Sequence, residues 1–331
     1  MASKYKIVMV DSILPLTDIE RNIAASIGCE IEQYNVFEPE DILKVAGDAD
    51  AIMTVGGHFR PEAIEPLEKC KIIARYGAGF DNVDTEAATK KGIVVSYVPI
   101  YCQKEVATLA VTLLLACERR LFQADKATKT GHWVDATQVV TGAHSIEGRT
   151  FGLIGFGGIA RETVPMMQAF GANVICSDPW ADKELAEKMG VELVDQDTLF
   201  KRADYIDIHV PLTPKTKHMI DKDELDSMKK GVIIINTGRG ALINQAELTK
   251  ALQDGRVAAA GLDVLEGEPP NVEDELFKLD NVITSGHIGA CTAEAVERLR
   301  TCVATNVVKV LSGEKPLACA NPEVLEKLGL K

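Results

Sequence analysis

Three short polar segments carry side chains that could do chemistry together. Arg239 lies in Asn236–Gly240 (NTGRG), where glycines free the backbone and the guanidinium could bind a carboxylate through two hydrogen bonds. Glu266 and Glu268 lie in an acidic loop that ends in two prolines. His287 lies in the glycine-rich segment SGHIGA and could give or take a proton near neutral pH. Each segment alone is also typical of a surface turn. The residue types do not decide which of the two glutamates has a catalytic role.

His287 is the histidine whose position most favours catalysis. It follows the apolar run Val282–Ser285, which predicts that it lies at the end of a strand, where the ligands of an open α/β sheet gather. A histidine is nevertheless more often structural than catalytic. The other histidines, to which we assign no role, are His58, His132, His144, His209 and His218.

A glycine-rich segment predicts a dinucleotide site. Phe151–Ala160 reads FGLIGFGGIA, an apolar strand followed by G-x-G-x-x-A and a predicted helix. Gly155 permits the tight turn, Gly157 lets a pyrophosphate approach the backbone, and Ala160 allows the helix to pack closely on the strand. The helix N-terminus would add N–H groups and a partial positive charge. Because glycine-rich turns are common, the motif is weak until its surroundings are considered.

Asp178 strengthens this interpretation. It stands at the end of the predicted strand Asn173–Ser177, about 20 residues beyond the glycines, where a carboxylate can accept hydrogen bonds from ribose hydroxyls. The same charge would repel a 2′-phosphate. The alternative is that Asp178 only shapes the turn before Pro179. The whole strand–loop–helix–strand–Asp unit predicts NAD, rather than NADP, as the cofactor.

The first hundred residues alternate short apolar runs with helical patterns. The first helix has Thr17 and Glu20 at capping-box spacing and Gly28 as its stop. Strands that alternate with helices pair in parallel through right-handed crossovers, so the pattern predicts a doubly wound α/β sheet. The predicted strands are Lys6–Val10, Glu30–Tyr34, Ala51–Val55, Ile72–Arg75 and Val94–Tyr97.

A second α/β series begins at Thr150, after a long helical segment at about Gln103–Lys129. Its number of strands matches that of a complete dinucleotide-binding sheet. The last helix, Thr292–Ser312, follows this series and could return to the first domain. The predicted strands are Phe151–Ile154, Asn173–Ser177, Tyr205–Val210, Val232–Asn236, Ala258–Asp263 and Val282–Ser285.

These patterns predict two doubly wound parallel-sheet domains in one chain. A Rossmann NAD domain, residues 102–285, would be inserted into a flavodoxin-like substrate domain. The substrate domain would be discontinuous and consist of residues 1–101 and 286–331.

The composition narrows the choice of partners. A chain of 331 residues with 46% hydrophobic and 26% charged residues is ordinary for two globular domains. The net charge of −13 disfavours nucleic acid and anionic membranes, and no apolar run is long enough to span a bilayer. The eight cysteines form no CxxC pair and no histidine lies at zinc-finger spacing, so we expect no metal site. The first residues lack a secretory pattern, so we expect a cytoplasmic protein.

In their order along the chain, the motifs resemble those of the D-isomer-specific 2-hydroxyacid dehydrogenase family. The resemblance covers nearly the whole chain and includes a substrate-domain signature at Arg75–Asp84 (RYGAGFDNVD). It implies an NAD-dependent oxidoreductase that transfers a hydride between nicotinamide and a small 2-keto or D-2-hydroxy acid. The other motifs that carry it are Gly155–Ala160, Asp178, Asn236–Gly240, Gly261–Val264 with Glu268-Pro269, and His287–Gly289.

The resemblance implies a role for each catalytic candidate. Arg239 would hold the carboxylate and the carbonyl oxygen of the substrate. His287 would be the general acid and base, and Glu268, rather than Glu266, would pair with it. A carboxylate beside the ring favours the protonated imidazole and fixes its orientation.

The resemblance also implies substrate and cofactor contacts. The backbone N–H groups of Gly77 and Ala78 would bind the substrate carboxylate, with Arg75 and Tyr101 close to the substrate. The matching cofactor contacts are Gly155, Gly157, Gly158, Ile159, Asp178, Val210, Pro211, Thr216, Thr237, Gly238 and Asp263.

The identity of the substrate stays open. Tyr101 is similar to the substrate-facing tyrosine of D-lactate and D-2-hydroxyisocaproate dehydrogenases, whereas Arg60 could bind a phosphate, as in phosphoglycerate dehydrogenases, or simply lie on the surface. The chain ends soon after Ala318–Pro322, so we expect none of the regulatory C-terminal domain of longer phosphoglycerate dehydrogenases. Glyoxylate or hydroxypyruvate reduction, and an NAD-sensing binding protein resembling the C-terminal-binding-protein corepressors, are alternatives.

Two further expectations come from the family pattern. The residues before the catalytic histidine are commonly Thr-Pro in the family but Ser285-Gly286 here, which predicts a less rigid loop. The helix at 103–121 and the segment Thr130–Trp133 resemble the family's dimer arm. We therefore expect a homodimer.

Overall fold

The computed structural model of the chain describes residues 4–330, which divide into two compact units. One unit contains the residues up to Tyr101 together with those from Thr292 onward, and the other contains Cys102–Cys291. The second unit thus extends past the boundary that we expected after residue 285. The reason is that backbone N–H groups of Ile288 and Gly289 donate to the buried carboxylate of Asp263 and hold this loop in the second unit.

The first unit contains a sheet of five parallel strands, which confirms the five strands predicted for it, with small differences at their ends. The strand order is the flavodoxin-like order β2-β1-β3-β4-β5. Its elements in chain order are β1 (Ile7–Met9), α1 (Asp18–Ala25), β2 (Ile31–Gln33), α2 (Pro39–Ala46), β3 (Ala51–Thr54), α3 (Pro61–Ile64), β4 (Ile72–Arg75), α4 (Thr85–Lys91) and β5 (Val94–Ser96).

Both faces of this sheet are buried, which is why its strands read as continuous apolar runs. Alternate residues of β1 contribute to separate clusters. Ile7 and Met9 pack on one face of the sheet, and Val8, with Val10 just after the strand, packs on the other. The register places Ile7 opposite Ile31 on one side and opposite Ala51 on the other.

The second unit contains a sheet of seven parallel strands. Its elements are α5 (Gln103–Glu118), α6 (Leu121–Lys129), α7 (Trp133–Val139), β6 (Thr150–Ile154), α8 (Gly158–Ala169), β7 (Asn173–Ser177), α9 (Lys183–Lys188), β8 (Glu192–Leu193), α10 (Gln196–Arg202), β9 (Tyr205–Ile208), α11 (Lys222–Ser227), β10 (Val232–Asn236), α12 (Gln245–Gln253), β11 (Val257–Leu262) and β12 (Val282–Thr284). The strand order is β8-β7-β6-β9-β10-β11-β12, the Rossmann order with one strand added at the end. The chain then returns to the first unit through α13 (Ala293–Leu311) and α14 (Glu323–Lys327).

Two details of the second unit differ from the sequence prediction. The short strand β8 was not predicted, because two residues are too few to show an alternation of polar and apolar side chains. The helical segment predicted as one piece is broken after Glu118, and Arg120 has a left-handed backbone at φ 46°. Glu118 is 5% exposed and accepts hydrogen bonds from the Tyr205 hydroxyl, at 2.9 Å, and from the backbone N–H of His144. These contacts attach the end of α5 to the sheet.

The predicted helix start at Thr17 is confirmed. Its backbone N–H donates to the Glu20 carboxylate at 3.1 Å, and its hydroxyl donates to the same oxygen at 2.6 Å. Glu20 is fully buried and also accepts a hydrogen bond from Arg300 of α13 at 2.6 Å and from the Tyr76 hydroxyl at 3.1 Å. Glu20, which completes the capping box of α1, therefore also joins α1 to α13.

The segment between α13 and α14 lies along β5. Asn321 is 1% exposed; its side-chain oxygen accepts the N–H of Val95 at 2.9 Å, and its amide nitrogen donates to the carbonyl of Ile93 at 2.9 Å. The N–H of Ala320 donates to the carbonyl of Val95 at 2.8 Å. The outer backbone groups of this strand are thus paired.

Across residues 4–330, no helix combines the length and the apolar character needed to cross a membrane.

Candidate active site

The glycine turn after β6 has the geometry that a dinucleotide needs. Gly155 has φ 95°, and a Cβ on it would lie 2.8 Å from the carbonyl oxygen of His209, so only glycine fits. Gly157 is the N-cap of α8, and a Cβ built there would meet no atom within 4 Å. Ala160 is fully buried where α8 packs on the sheet. The space beside Gly157 is therefore open, and a pyrophosphate would be favoured there at the N-terminus of α8.

Asp178 lies beside this turn at the end of β7. One carboxylate oxygen accepts the N–H of Phe156 at 2.8 Å, and the other accepts the N–H of Trp180 at 2.8 Å. The first bond joins Asp178 directly to the glycine turn. Each carboxylate oxygen can accept a further hydrogen bond, so the group retains capacity for ribose hydroxyls.

The other predicted cofactor residues lie on three loops of the same unit. The Thr216 hydroxyl donates to the carbonyl of Pro211 at 2.7 Å and thereby shapes the loop that begins at Val210. Thr237 is 8% exposed, and its buried hydroxyl oxygen has no hydrogen-bond partner among residues 4–330, so it could bind a polar group of a cofactor. Gly158 and Ile159, which follow the glycine turn, lie in the first turn of α8. This set of groups fits NAD.

Arg239 lies on a turn that Asn236 shapes at the end of β10. The side-chain oxygen of Asn236 accepts the N–H of Gly238 at 3.0 Å, and its amide nitrogen donates to the carbonyl of Arg239 at 2.9 Å. The Arg239 guanidinium donates to the carbonyl of Gly238 at 2.8 Å. Gly240, the residue after Arg239, packs so closely on Leu265 that a Cβ there would overlap with the Leu265 carbonyl group.

Glu268 and His287 form a hydrogen bond, with Nδ1 of the imidazole 2.7 Å from Oε2 of the carboxylate. The two side chains are 48% (His287) and 39% (Glu268) exposed, so the pair is accessible to a ligand. The other carboxylate oxygen accepts the N–H of Leu265 at 3.1 Å. Burial raises the pKa of Glu268, but the hydrogen bond and charge of His287, with the nearby charge of Arg239, outweigh burial and lower it. Glu268 is therefore an anion at neutral pH, between a cation and an imidazole.

Asp263 holds the loop that carries His287. Asp263 is 2% exposed; its carboxylate accepts the Ser285 hydroxyl at 2.7 Å and the N–H groups of Ile288 and Gly289 at 2.8 Å each. Its carbonyl accepts the N–H of His287 at 2.6 Å. We expected Asp263 to be a cofactor contact, and the sequence reasoning missed this anchoring role.

The loop adopts a backbone that the common Thr-Pro pair could not. Gly286 has φ 68° and His287 has φ 60°, both in the left-handed region, whereas proline fixes φ near −65°. The loop that we expected to be less rigid is attached to Asp263 at four points.

The three catalytic candidates therefore come from loops of the second unit, and Glu268, not Glu266, contacts His287. Glu266 pairs instead with His218, at 2.5 Å between Oε1 and Nε2, a contact that the sequence analysis did not foresee. The two histidines lie far apart in the sequence, so spacing could not assign the glutamates to them.

The substrate candidates lie together in the first unit. Gly77, with φ 132°, is the residue around which they gather: a Cβ on it would overlap with the Arg75 guanidinium and lie 3.6 Å from the Tyr101 hydroxyl. Ala78 follows the buried Gly77 and is exposed. Arg60 is the N-cap of α3, and its guanidinium donates to the carbonyl of Asp81 at 3.5 Å.

Comparisons with known proteins agree with this geometry. Residues 111–289 match the family described as D-isomer specific 2-hydroxyacid dehydrogenase, NAD binding domain. The chain is 43% identical over 328 residues to a D-3-phosphoglycerate dehydrogenase of Methanocaldococcus jannaschii, covering 98% of this chain but 61% of that protein. It is 40% identical over 289 residues to a glyoxylate reductase of Thermococcus litoralis, covering 86% of this chain and 87% of that protein.

A solved structure agrees along nearly its full length. It is the D-lactate dehydrogenase of Aquifex aeolicus complexed with NAD and lactic acid, with a TM-score of 0.83 and 26% identity, covering 97% of this chain and 98% of that chain. The two-sheet architecture and the cofactor prediction thus have support that is independent of the motifs.

Proposed function

The chain belongs to the D-isomer-specific 2-hydroxyacid dehydrogenase family of NAD-dependent oxidoreductases, and from this premise we propose that it reduces a small 2-keto acid to the D-2-hydroxy acid and catalyses the reverse reaction. The observation that carries the proposal is the Glu268–His287 hydrogen bond, 2.7 Å long, on the NAD-binding unit close to Arg239. These groups would supply an anion, a proton donor and a cation to one small acid.

In this reaction His287 is the proton donor. Because Nδ1 is bonded to Glu268, Nε2 is the atom that gives its proton to the carbonyl oxygen during reduction and takes it back during oxidation. The Glu268 carboxylate stabilises the imidazolium and fixes the plane of the ring. The guanidinium of Arg239 binds the substrate carboxylate and polarises the carbonyl group. Bound NADH supplies the hydride.

The family resemblance assigns further substrate contacts to four residues that lie together in the first unit. The backbone N–H groups of Gly77 and Ala78 bind the carboxylate, and Arg75 and Tyr101, which gather around Gly77, contact the rest of the substrate. The candidate substrates are glyoxylate, hydroxypyruvate, phosphohydroxypyruvate and pyruvate. Arg60 would favour a phosphorylated acid.

The cofactor in this proposal is NAD. Gly155 and Gly157 would hold the pyrophosphate, and the Asp178 carboxylate, which is bonded to the N–H of Phe156 in the glycine turn, would accept hydrogen bonds from the ribose. The contacts on the neighbouring loops are Gly158, Ile159, Val210, Pro211, Thr216, Thr237 and Gly238. Asp263 acts through the His287 loop, since its carboxylate oxygens bind that loop.

A panel of keto acids tests the proposed function. We expect oxidation of NADH, faster than that of NADPH, with at least one of glyoxylate, hydroxypyruvate, phosphohydroxypyruvate and pyruvate, and a D product. Replacing His287 by Ala should reduce turnover by roughly 10²–10⁴. His144→Ala, which removes an exposed histidine of the same unit, should keep wild-type turnover. Full activity of His287→Ala would refute the assignment.

We also propose that the chain is a homodimer and is cytoplasmic. Three large apolar side chains of α6 and α7 are exposed, Leu121 at 58%, Phe122 at 58% and Trp133 at 75%, which is typical of a surface that another chain covers. Light scattering should give a dimer, and Phe122→Glu should weaken the dimer, whereas Phe170→Glu, at a 45% exposed site at the C-terminal end of α8, should not.

The cytoplasmic location is supported by the free cysteines, which suit a reducing compartment. Recovery of the protein only outside the cytoplasm would contradict this location. A monomeric wild type would contradict the proposed homodimer.

A further inference from the structure

A second histidine–carboxylate pair lies next to the catalytic one. His218 Nε2 is 2.5 Å from Oε1 of Glu266, and both side chains are 31% exposed. Glu266 precedes Glu268 by two residues in the same turn. The two pairs thus attach neighbouring carboxylates of one loop to two different imidazoles.

Glu266 is also held by α12. Its second carboxylate oxygen accepts the N–H of Gln245 at 3.3 Å, and its own N–H donates to the side-chain oxygen of Gln245 at 3.0 Å. The amide nitrogen of Gln245 donates to Asp274 at 2.9 Å. Backbone and side chain of Glu266 are therefore fixed together.

His218 lies in a turn that is hydrogen-bonded to the chain after Arg239. Its N–H donates to the carbonyl of Ala241 at 2.8 Å, and Ile220 pairs in parallel with Ile243. His218 has φ 52°, an uncommon backbone for a residue other than glycine, and it directs the ring toward Glu266. The pair therefore joins the Arg239 side of the site to the glutamate loop.

The turn that carries Glu268 is held at both of its ends. At one end Glu268 contacts His287 and accepts the N–H of Leu265; at the other end Glu266 contacts His218. Two carboxylates of like charge so close in sequence would repel each other and compete for one imidazole. A separate partner for Glu266 keeps its charge away from His287.

We propose that His218 and Glu266 are positioning residues, which fix the turn so that Glu268, and not Glu266, contacts the imidazole of His287. This role rests on the proposed function. Neither residue contacts His287; they act by holding Glu268 at its 2.7 Å distance from the imidazole. A small misplacement of Glu268 would weaken its support of the imidazolium, and misplacement of a catalytic group by ~1 Å can cost ~10²-fold in rate.

The test compares four single variants and one double variant of the full chain in keto-acid reduction. His218→Asn removes the ring but tolerates the left-handed backbone. Glu266→Ala removes the carboxylate, and Glu266→Gln keeps its size and its contact with Gln245. Glu273→Gln is the control, because it removes the same charge from an exposed position of the same acidic stretch.

We expect His218→Asn and Glu266→Ala to lower kcat by ~10-fold and to move the high-pH limit of kcat/KM to lower pH. Glu266→Gln should lie between them and the wild type. The affinity for NADH, measured by fluorescence titration, should not change in any variant, which separates positioning from general damage. The double variant His218→Asn, Glu266→Ala should be no worse than Glu266→Ala alone, because Glu266→Ala already removes the contact with His218.

Wild-type kcat and an unmoved pH profile in His218→Asn and Glu266→Ala would overturn the positioning role, as would an equal effect of Glu273→Gln. A wild-type chain that binds NADH but reduces none of the acids would overturn the proposed function, and the positioning role with it.

Discussion

The imidazole of His287 has two nitrogens, and the Glu268 carboxylate occupies Nδ1. The charge of that carboxylate matters as much as its hydrogen bond. It favours the protonated ring that reduction consumes. Because neighbouring cationic groups lower the pKa of Glu268, the carboxylate is ionised through the neutral range, and its own titration does not limit activity there.

Glu268→Gln tests this point, because the amide keeps an acceptor for Nδ1 and removes the charge. We expect kcat/KM for keto-acid reduction to fall by ~10², since the imidazole loses its anionic neighbour. Initial rates between pH 5 and 9, measured at fixed ionic strength, check this. Superimposable pH profiles of variant and wild type would show that the charge of Glu268 has no role.

At this scale the sequence predicted the residue types better than their pairing. Arg239 and His287 could be chosen because each follows an apolar strand and lies among glycines. Glu266 and Glu268 could not be separated by residue type alone, because they share a loop, and the family resemblance was needed to choose Glu268. The structure adds the physical reason, which is that His218, distant in sequence, binds Glu266.

The loops that follow β10, β11 and β12 carry the proposed catalytic groups, and hydrogen bonds to Asp263 and Asn236 fix these loops to one another. Asp263, at the end of β11, binds the loop after β12 through its carboxylate, and its N–H donates to the carbonyl of Asn236 at 2.9 Å. The three loops are thus connected through one buried residue.

Asp263→Asn tests the anchoring role. The amide nitrogen cannot accept from Ile288 or Gly289, so one N–H loses its partner, at a cost of about 1–3 kcal/mol, and the His287 loop loosens. We expect kcat to fall by ~10-fold or more while the KM for NADH stays at its wild-type value. Steady-state kinetics with both substrates varied will show this. A raised KM for NADH with unchanged kcat would instead indicate that Asp263 contacts the cofactor.

The sequence predicted the strands of both sheets well, because buried parallel strands are short apolar runs between turns. It failed where a tertiary contact decides local structure. The stretch Glu118–Leu121 contains no glycine or proline to end a helix, yet burial of Glu118 beside Tyr205 ends α5 there. The strand β8 forms only because β7 is beside it.

The first unit is built from two distant stretches of chain, and a buried ion pair joins them. Glu20 and Arg300 are separated by 280 residues and lie 2.6 Å apart with almost no exposure. Tyr76, which donates to the same carboxylate, directly precedes the proposed substrate loop. The stability of the unit and the placement of that loop thus depend on one cluster.

Arg300→Met should destabilise the chain by about 3–5 kcal/mol, because it leaves the Glu20 carboxylate buried without its cation. The double variant Glu20→Gln, Arg300→Met should recover part of this loss. Urea unfolding followed by circular dichroism measures both. An Arg300→Met chain as stable as the wild type would show that the pair contributes nothing.

The same cluster gives the stability a pH dependence. Burial raises the pKa of Glu20. The hydrogen bonds from Thr17 and from its own backbone, with the hydrogen bond and charge of Arg300, outweigh burial, so the pKa of Glu20 in the folded state is lowered. A lowered folded-state pKa means that Glu20 stabilises the fold above its unfolded pKa, and that this stability is lost as the pH falls through the folded value. Melting temperatures between pH 3 and 7 should therefore fall less steeply with acid in Glu20→Gln than in the wild type.

The pairing of Asn321 and Ala320 with β5 has a consequence for behaviour in solution. A parallel sheet has two outer strands, and the unpaired backbone groups of such a strand can recruit a strand from a second molecule. Here the carbonyls of Ile93 and Val95 and the N–H of Val95 are already satisfied by the chain's own later segment. We therefore expect that segment to prevent a strand of a second molecule from pairing with this edge.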